Sequence, residues 1–112
     1  MKKLSILIFF LALAMHLPAR GGDTAEVKIM TSAICETCKK TIEHEMPFEK
    51  GVKSATLDVD TKVLTVVYNP SKTDENKIRV ALTKVGYDAD SLQADPKAFR
   101  KLPECCRVPG KH

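Results

Sequence analysis

The chemistry open to this 112-residue chain is concentrated in its four cysteines, which come as two pairs. Cys35-Glu36-Thr37-Cys38 is a C-x-x-C loop, and Cys105-Cys106 is an adjacent pair near the end. A C-x-x-C pair between a strand and a helix brings two sulfurs together over free N–H groups and the positive end of the helix dipole. Both favour thiolate near neutral pH. Lys39 and Lys40 follow at once and are expected to add positive charge beside the sulfurs. Soft thiolates select Cu(I) and Zn(II), and by the same logic Hg(II) or Cd(II). Two sulfurs suit a cation that accepts low coordination, whereas a structural zinc wants four protein ligands. No second C-x-x-C lies in the body of the chain, and His44, well inside the following helix, is expected to face solvent. An open two-sulfur site suits transfer, because a third ligand can enter and exchange.

Closing Cys105 on Cys106 would strain the peptide between them. Three readings of this pair stay open. It supplies further thiolate ligands, together with His112, when the tail folds over the loop. It bridges to Cys35 or Cys38 as a redox lid, or links two chains. Or it has no role. Four cysteines in an exported chain ordinarily suggest a disulfide framework. Here the pairs are not spaced through the fold as such a framework would be.

Ala25 to Thr31 alternates apolar and polar residues, the mark of a half-buried strand leading into the loop. From Cys38 to Met46 the period turns helical. Cys38, Ile42 and Met46 share one face, Lys39, Lys40, Glu43 and Glu45 are placed for solvent, and Pro47 ends the helix. Val52 to Val59 and Val63 to Tyr68 read as strands joined by a short hairpin connection, Asp60-Thr61-Lys62, and as the central pair of a sheet. Thr73 is the expected N-cap of a second helix whose apolar face is Ile78, Ala81, Leu82 and Val85, and Gly86 closes it. Tyr87 to Leu92 is expected to supply a final strand at a sheet edge. The order strand, helix, strand, strand, helix, strand is that of an α+β, ferredoxin-like βαββαβ sandwich, with two helices on a four-stranded antiparallel sheet.

Residues 25–92 form this domain, and 93–112 is a Cys-containing tail in which Phe99 and Leu102 either pack back as a short helical turn or belong to a mobile extension. At the other end, Lys2 and Lys3 precede an apolar run from Leu4 to Ala14, the layout of a cleavable signal peptide over residues 1–19. Ala12-Leu13-Ala14 and Leu17-Pro18-Ala19 are candidate cleavage sites, and 20–24 is a flexible lead-in. Roughly 11 to 14 apolar residues fall short of the ~20 that span a bilayer, against an uncleaved anchor. No Cys near the cut speaks for a lipoprotein. The expected location is therefore periplasmic or secreted, with a soluble mature chain.

Removing Lys2 and Lys3 takes the formal charge from +4 to about +2, which gives no strong pull toward nucleic acid or membrane. Trp is absent and basic residues alternate with acidic ones, so no nucleic-acid surface is indicated. Nor is there a Cys-His-Asn or Ser-His-Asp set, a phosphate loop or a paired-carboxylate cleft, so a non-enzyme is expected.

Met30-Thr31-Ser32-Ala33-Ile34-Cys35-Glu36-Thr37-Cys38, then Gly51-Val52-Lys53-Ser54, then Val85-Gly86-Tyr87-Asp88-Ala89, together resemble the heavy-metal-associated domain family. Its members include copper chaperones, N-terminal modules of metal-pumping ATPases and a periplasmic mercury carrier. The resemblance spans roughly Ala25 to Leu92 and implies the same βαββαβ fold. It implies Cys35 and Cys38 as metal ligands, and Tyr87 as the aromatic that shields the metal loop, beside the plainer reading of a ring packed on the core. The partners it implies are a metal ion and a metal-transporting membrane protein or its metal-binding domain. Where the family usually has Gly-Met-Thr/His-Cys, this chain has Ser32-Ala33-Ile34-Cys35, which bears on metal preference and loop rigidity. Cu(I) is the first expectation, with Hg(II) and Zn(II) behind it.

The rival reading is a thiol-disulfide oxidoreductase or redox-sensing module using the same C-x-x-C. Thioredoxin-like enzymes usually have an aromatic before the motif and Gly-Pro or Pro-His within it. Here the neighbours are Ala33-Ile34 and Glu36-Thr37. An interaction module with its cysteines locked as a disulfide is the third possibility.

Overall fold

The computed structural model describes residues 23–107. The expected signal segment 1–19, the start of the lead-in, and His112 lie outside the described residues. The alternating stretches form three strands: β1 (Ala25–Met30), β2 (Val52–Asp58) and β3 (Val63–Tyr68). The sheet is antiparallel in the order β1-β3-β2, with Ile29 and Leu57 both opposite Leu64, and Val27 and Ala55 both opposite Val66. β3, the most β-branched stretch, therefore has a partner on each side, and β2 lies at an outer position rather than sharing the centre. The hairpin turn is one residue longer than expected. Val59 joins it, and the Asp58 carboxylate accepts from the Asp60 and Thr61 amides at 2.9 and 3.2 Å.

Val27, Ile29, Leu57, Leu64, Val66 and Tyr68 line one buried face. Two helices cover it. α1 (Glu36–Glu45) contributes Cys38 and Ile42, and Met46 continues the same stripe into a 3-10 turn that contains Pro47. α2 (Glu75–Val85) buries Ile78 and Leu82, with Ala81 and Val85 half-buried beside them. Each fully buried aliphatic side chain of this kind stabilises the fold by about 1.5–3 kcal/mol.

The N-cap of α2 is Asp74, not the expected Thr73: its carboxylate accepts the Lys77 amide at 2.8 Å. A carboxylate also meets the helix dipole favourably, which a hydroxyl does less well. Thr73 is buried instead, and its hydroxyl has no hydrogen-bond partner. Gly86 ends the helix as expected, at φ +121°.

The expected fourth strand does not form among the described residues; only single bridges, Thr31 to Ala89 and Ala89 to Leu92, mark its place. Asp90 is the reason. It adopts a left-handed φ of 53°, which an extended strand cannot contain. Its backbone donates to the Met30 carbonyl at 2.8 Å, while its carboxylate accepts the Met30 amide at 2.9 Å and the Arg79 guanidinium at 2.8 Å. One residue thus takes both outward groups of Met30 that a pairing strand would have used.

Lys39 and Glu43 are not simply solvated. The Lys39 ammonium donates to Glu43 at 2.7 Å and to the Leu57 carbonyl at 2.8 Å, and the Leu57 amide donates to Glu43 at 2.7 Å. This clamp fastens α1 to β2.

After Leu92 the chain packs back on the domain. α3 (Pro96–Lys101) starts at Asp95, whose carboxylate accepts the Ala98 amide at 3.0 Å, with Pro96 in its first turn. The Asp95 amide donates to the Thr83 carbonyl at 3.0 Å, and the Ala94 amide to Asp88 at 2.9 Å. Leu102 is buried over Gly86, and a final 3-10 turn, Glu104–Cys106, carries Cys106 into the core.

Candidate metal centre

The loop between β1 and α1 is fixed from both sides before it reaches the first thiol. The Thr31 hydroxyl donates to the Lys62 carbonyl at 2.8 Å and accepts the Ala33 amide at 3.1 Å. The Ser32 hydroxyl accepts the Asp88 amide at 2.9 Å, tying the loop to the chain after α2. Ala33 is fully buried in the core, the position where the family usually carries methionine. Ser32 was not singled out from sequence; a small hydroxyl residue just before the loop is a weak signal.

Cys35 occupies the N-cap position of α1 in extended backbone geometry, and Cys38 lies one turn in, fully buried. Their sulfurs are 3.4 Å apart. The tail adds the second pair: the Cys106 sulfur is 4.0 Å from that of Cys35, and the Cys105 carbonyl 3.5 Å. The sulfurs of Cys35, Cys105 and Cys106 all lie within 4.8 Å of one another. Cys35 is thus the hub around which the other three cysteines gather, and all four are free thiols. Cys106 is buried and Cys105 exposed.

These surroundings tune the thiols differently. Burial works against ionising Cys35, but the Cys38 and Thr37 amides at the open end of α1, with the Cys38 and Cys105 side chains, outweigh it and lower its pKa to about 7. The amides act by proximity, since Cys35 closes no side-chain cap bond. Lys39 is not turned toward the sulfurs as expected: its ammonium is held in the clamp to Glu43 and Leu57. Burial, then the neighbouring Cys38 thiol, pushes Cys106 the other way.

Tyr87 lies with its ring on the core, the plainer of the two readings. Its ring is fully buried in the core, and its hydroxyl faces the Cys106 and Cys38 thiols without hydrogen-bond geometry to either. Burial, and then those two thiols, keeps the phenol protonated. His44 faces solvent, with its Nδ1 3.2 Å from Glu45 and its ring edge-on to Phe48. His112 lies outside the described residues. The approach of Cys106 is what sequence reading left unresolved, since it depends on Leu102 docking over Gly86.

A site built this way offers soft sulfur donors, one of them readily ionised, at the mouth of a helix. Known proteins resemble the chain to different extents. Residues 29–88 match the sequence profile of the heavy-metal-associated domain. The copper-exporting P-type ATPase of Staphylococcus haemolyticus is 35% identical over 83 residues, which is 73% of this chain but 10% of the ATPase. The CopZ metallochaperone superposes with a TM-score of 0.55 at 24% identity, covering 58% of this chain and 98% of its own. Oxidised MerP from Ralstonia metallidurans gives 0.56 at 22% identity, covering 60% and 94%. These two superpositions show a common fold. The profile match spans more than half of the sequence and runs from β1 through the thiol loop to the residues after α2: the chain belongs to the heavy-metal-associated domain family.

Proposed function

We propose that this protein is an exported carrier of a soft cation, Cu(I) in the first place, held by the thiols of Cys35 and Cys38 and exchanged with a metal-transporting membrane protein. The observation that carries this is the pair of sulfurs 3.4 Å apart at the N-terminus of α1, with Cys35 acidified to about 7. Thiolate is the form that binds the ion, so a pKa near neutrality lets metal displace a proton without strong competition. The 35% identity to a copper-exporting ATPase supports copper over other thiophilic ions. Cys105 and Cys106 stand beside this pair as auxiliary donors. The charged start and apolar run of residues 1–19 support export.

The test is a Cu(I) titration of the reduced protein against a competing chelator, beside the Cys35→Ser/Cys38→Ser variant. Tight binding that the double variant loses is the expected result. Equal binding by the two proteins refutes the carrier reading, and parallel titrations with Hg(II) and Zn(II) then identify another cargo. A disulfide-exchange assay on the same preparations addresses the redox alternative. Expression from the full sequence, followed by intact mass of the purified product, tests export: the expected product begins after Ala14 or Ala19. A full-length product confined to the cytoplasm refutes it.

A further inference from the structure

The carrier reading leaves Cys106 unexplained. It is a thiol brought back from more than sixty residues away and buried to 1% exposure, with its sulfur 4.0 Å from that of Cys35. Its placement is built rather than incidental. Asp95 starts α3 and bonds to Thr83, Leu102 seals over Gly86, and the Cys106 amide donates to the Pro103 carbonyl at 2.9 Å in the closing turn. A Cβ on Gly86 would meet the Ala98 carbonyl and Leu102 side chain at 3.1 Å, so this docking has little slack.

Sulfur spacing distinguishes coordination numbers. With metal–thiolate bonds of about 2.3 Å, two opposed sulfurs stand about 4.6 Å apart and three in a plane about 4.0 Å. Cys35 and Cys38 are 3.4 Å apart, so opposed binding requires that pair to open by roughly 1.2 Å. Cys38 is fully buried beneath the first turn of α1, which resists such a movement. Planar three-sulfur binding asks about half that movement, and the Cys35–Cys106 spacing of 4.0 Å already matches it.

We propose that Cys106 is a third metal ligand supplied by the chain itself, so that Cys35, Cys38 and Cys106 enclose one soft monovalent cation. On binding, each of the three thiols gives its proton to solvent and each sulfur donates one electron pair to the ion. This rests on the carrier reading and adds a consequence to it. The third position, where a partner's thiol would enter during transfer, is already filled. A partner must displace Cys106 to take the metal, and the chain retains its cargo more firmly than a two-sulfur site does. The Cys105 sulfur also lies within 4.8 Å of those of Cys35 and Cys106, but Cys105 is exposed where Cys38 is buried, and the assignment leaves it out of the enclosed set.

The experiment is X-ray absorption on the reduced full chain loaded anaerobically with one equivalent of Cu(I), with the rate of Cu(I) loss to a competing dithiol measured alongside. Three sulfur neighbours are expected in the wild type and in Cys105→Ser. Two are expected in Cys106→Ala and in Cys106→Val, the second of which keeps the buried volume filled should alanine loosen the tail. Loss to the competitor should quicken on the order of a hundredfold in both Cys106 variants, as expected when an intramolecular ligand is removed. Two sulfurs in the wild type overturn the assignment, as do three retained in Cys106→Val. If the wild type binds Cu(I) no better than Cys35→Ser/Cys38→Ser, the carrier reading itself has failed; a two-sulfur wild type that still needs both loop cysteines sinks only the third ligand.

Discussion

Replacing Gly86 by alanine should cost stability and loosen the tail in a way that can be worked out in advance. Gly86 sits at φ +121°, a conformation that L residues rarely adopt, and a new methyl would lie 3.1 Å from the Ala98 carbonyl and from Leu102. The backbone strain alone is of the order of 1–2 kcal/mol. Forcing a methyl into a packed contact adds about 1–3 kcal/mol if α3 stays in place. The tail can relieve most of the second cost by shifting outward, which leaves about 1 kcal/mol of it in the unfolding free energy. The expected loss is therefore about 2–3 kcal/mol, or roughly 10 °C in Tm for a domain of this size. Urea unfolding under reducing conditions measures the first quantity. Timed alkylation with peptide mass mapping measures the second: Cys106, buried in the wild type, should label faster in Gly86→Ala. Leu102→Ala is the companion, since it removes the packing without backbone strain and should also expose Cys106. If Gly86→Ala is as stable as the wild type and Cys106 stays as protected, the claim that Gly86 seats the tail is wrong.

Asp74→Ala should cost about 1 kcal/mol by removing the N-cap of α2, while Thr73→Val should be neutral or stabilising by up to ~1 kcal/mol, because it deletes a buried hydroxyl that has no partner. Denaturant unfolding of the two variants decides whether Asp74 or Thr73 caps the helix. Burial opposes the ionisation of Glu43, but the Lys39 ammonium and the Leu57 amide outweigh it and hold the carboxyl below its ordinary value of 4.5. Its stabilisation is therefore complete above that value and is lost as the pH falls through the lower folded one. Glu43→Gln should flatten the acid limb of the stability–pH curve, and an unchanged limb would show that the clamp contributes nothing there. Tyr87→Phe should change stability by less than about 1 kcal/mol, since the hydroxyl makes no hydrogen bond, whereas Tyr87→Ala should cost about 3–5 kcal/mol; equilibrium unfolding of both variants tests the contrast.

Much of the scaffold was legible because hydrophobic period is a local signal. The alternation in β1 and β3 and the Ile78, Leu82 stripe of α2 survive in the structure at the same residues. The fourth strand failed because Tyr87 to Leu92 looks extended in composition, while Asp90 gains more from bonding Met30 and Arg79 in a left-handed turn. Lys39 and Glu43 read as solvated helix residues since nothing in the sequence tells which strand backbone lies beside them. The tail helix did leave a signal, Asp95-Pro96 at a helix start with Phe99 and Leu102 following, which is the usual capping chemistry. The loop pair Cys35 and Cys38 was visible from spacing alone. The position of Cys106 was not, because it is set by a contact between Leu102 and Gly86 across sixteen residues of chain.

The two outer strands of the sheet share a device whose effect reaches beyond the single molecule. On β1 the Asp90 carboxylate occupies the outward amide of Met30, and on β2 the Glu43 carboxylate occupies that of Leu57. Each puts a negative charge on a backbone donor that a strand from another chain would otherwise recruit, so the sheet resists growing from one molecule into the next. Both carboxyls are held more acidic than usual, so the protection persists well into mild acid and lapses only once they take up protons. Self-association followed by light scattering should therefore begin at higher pH in Glu43→Gln than in the parent chain, and would tie this fold's colloidal stability to carboxylates rather than to its thiols.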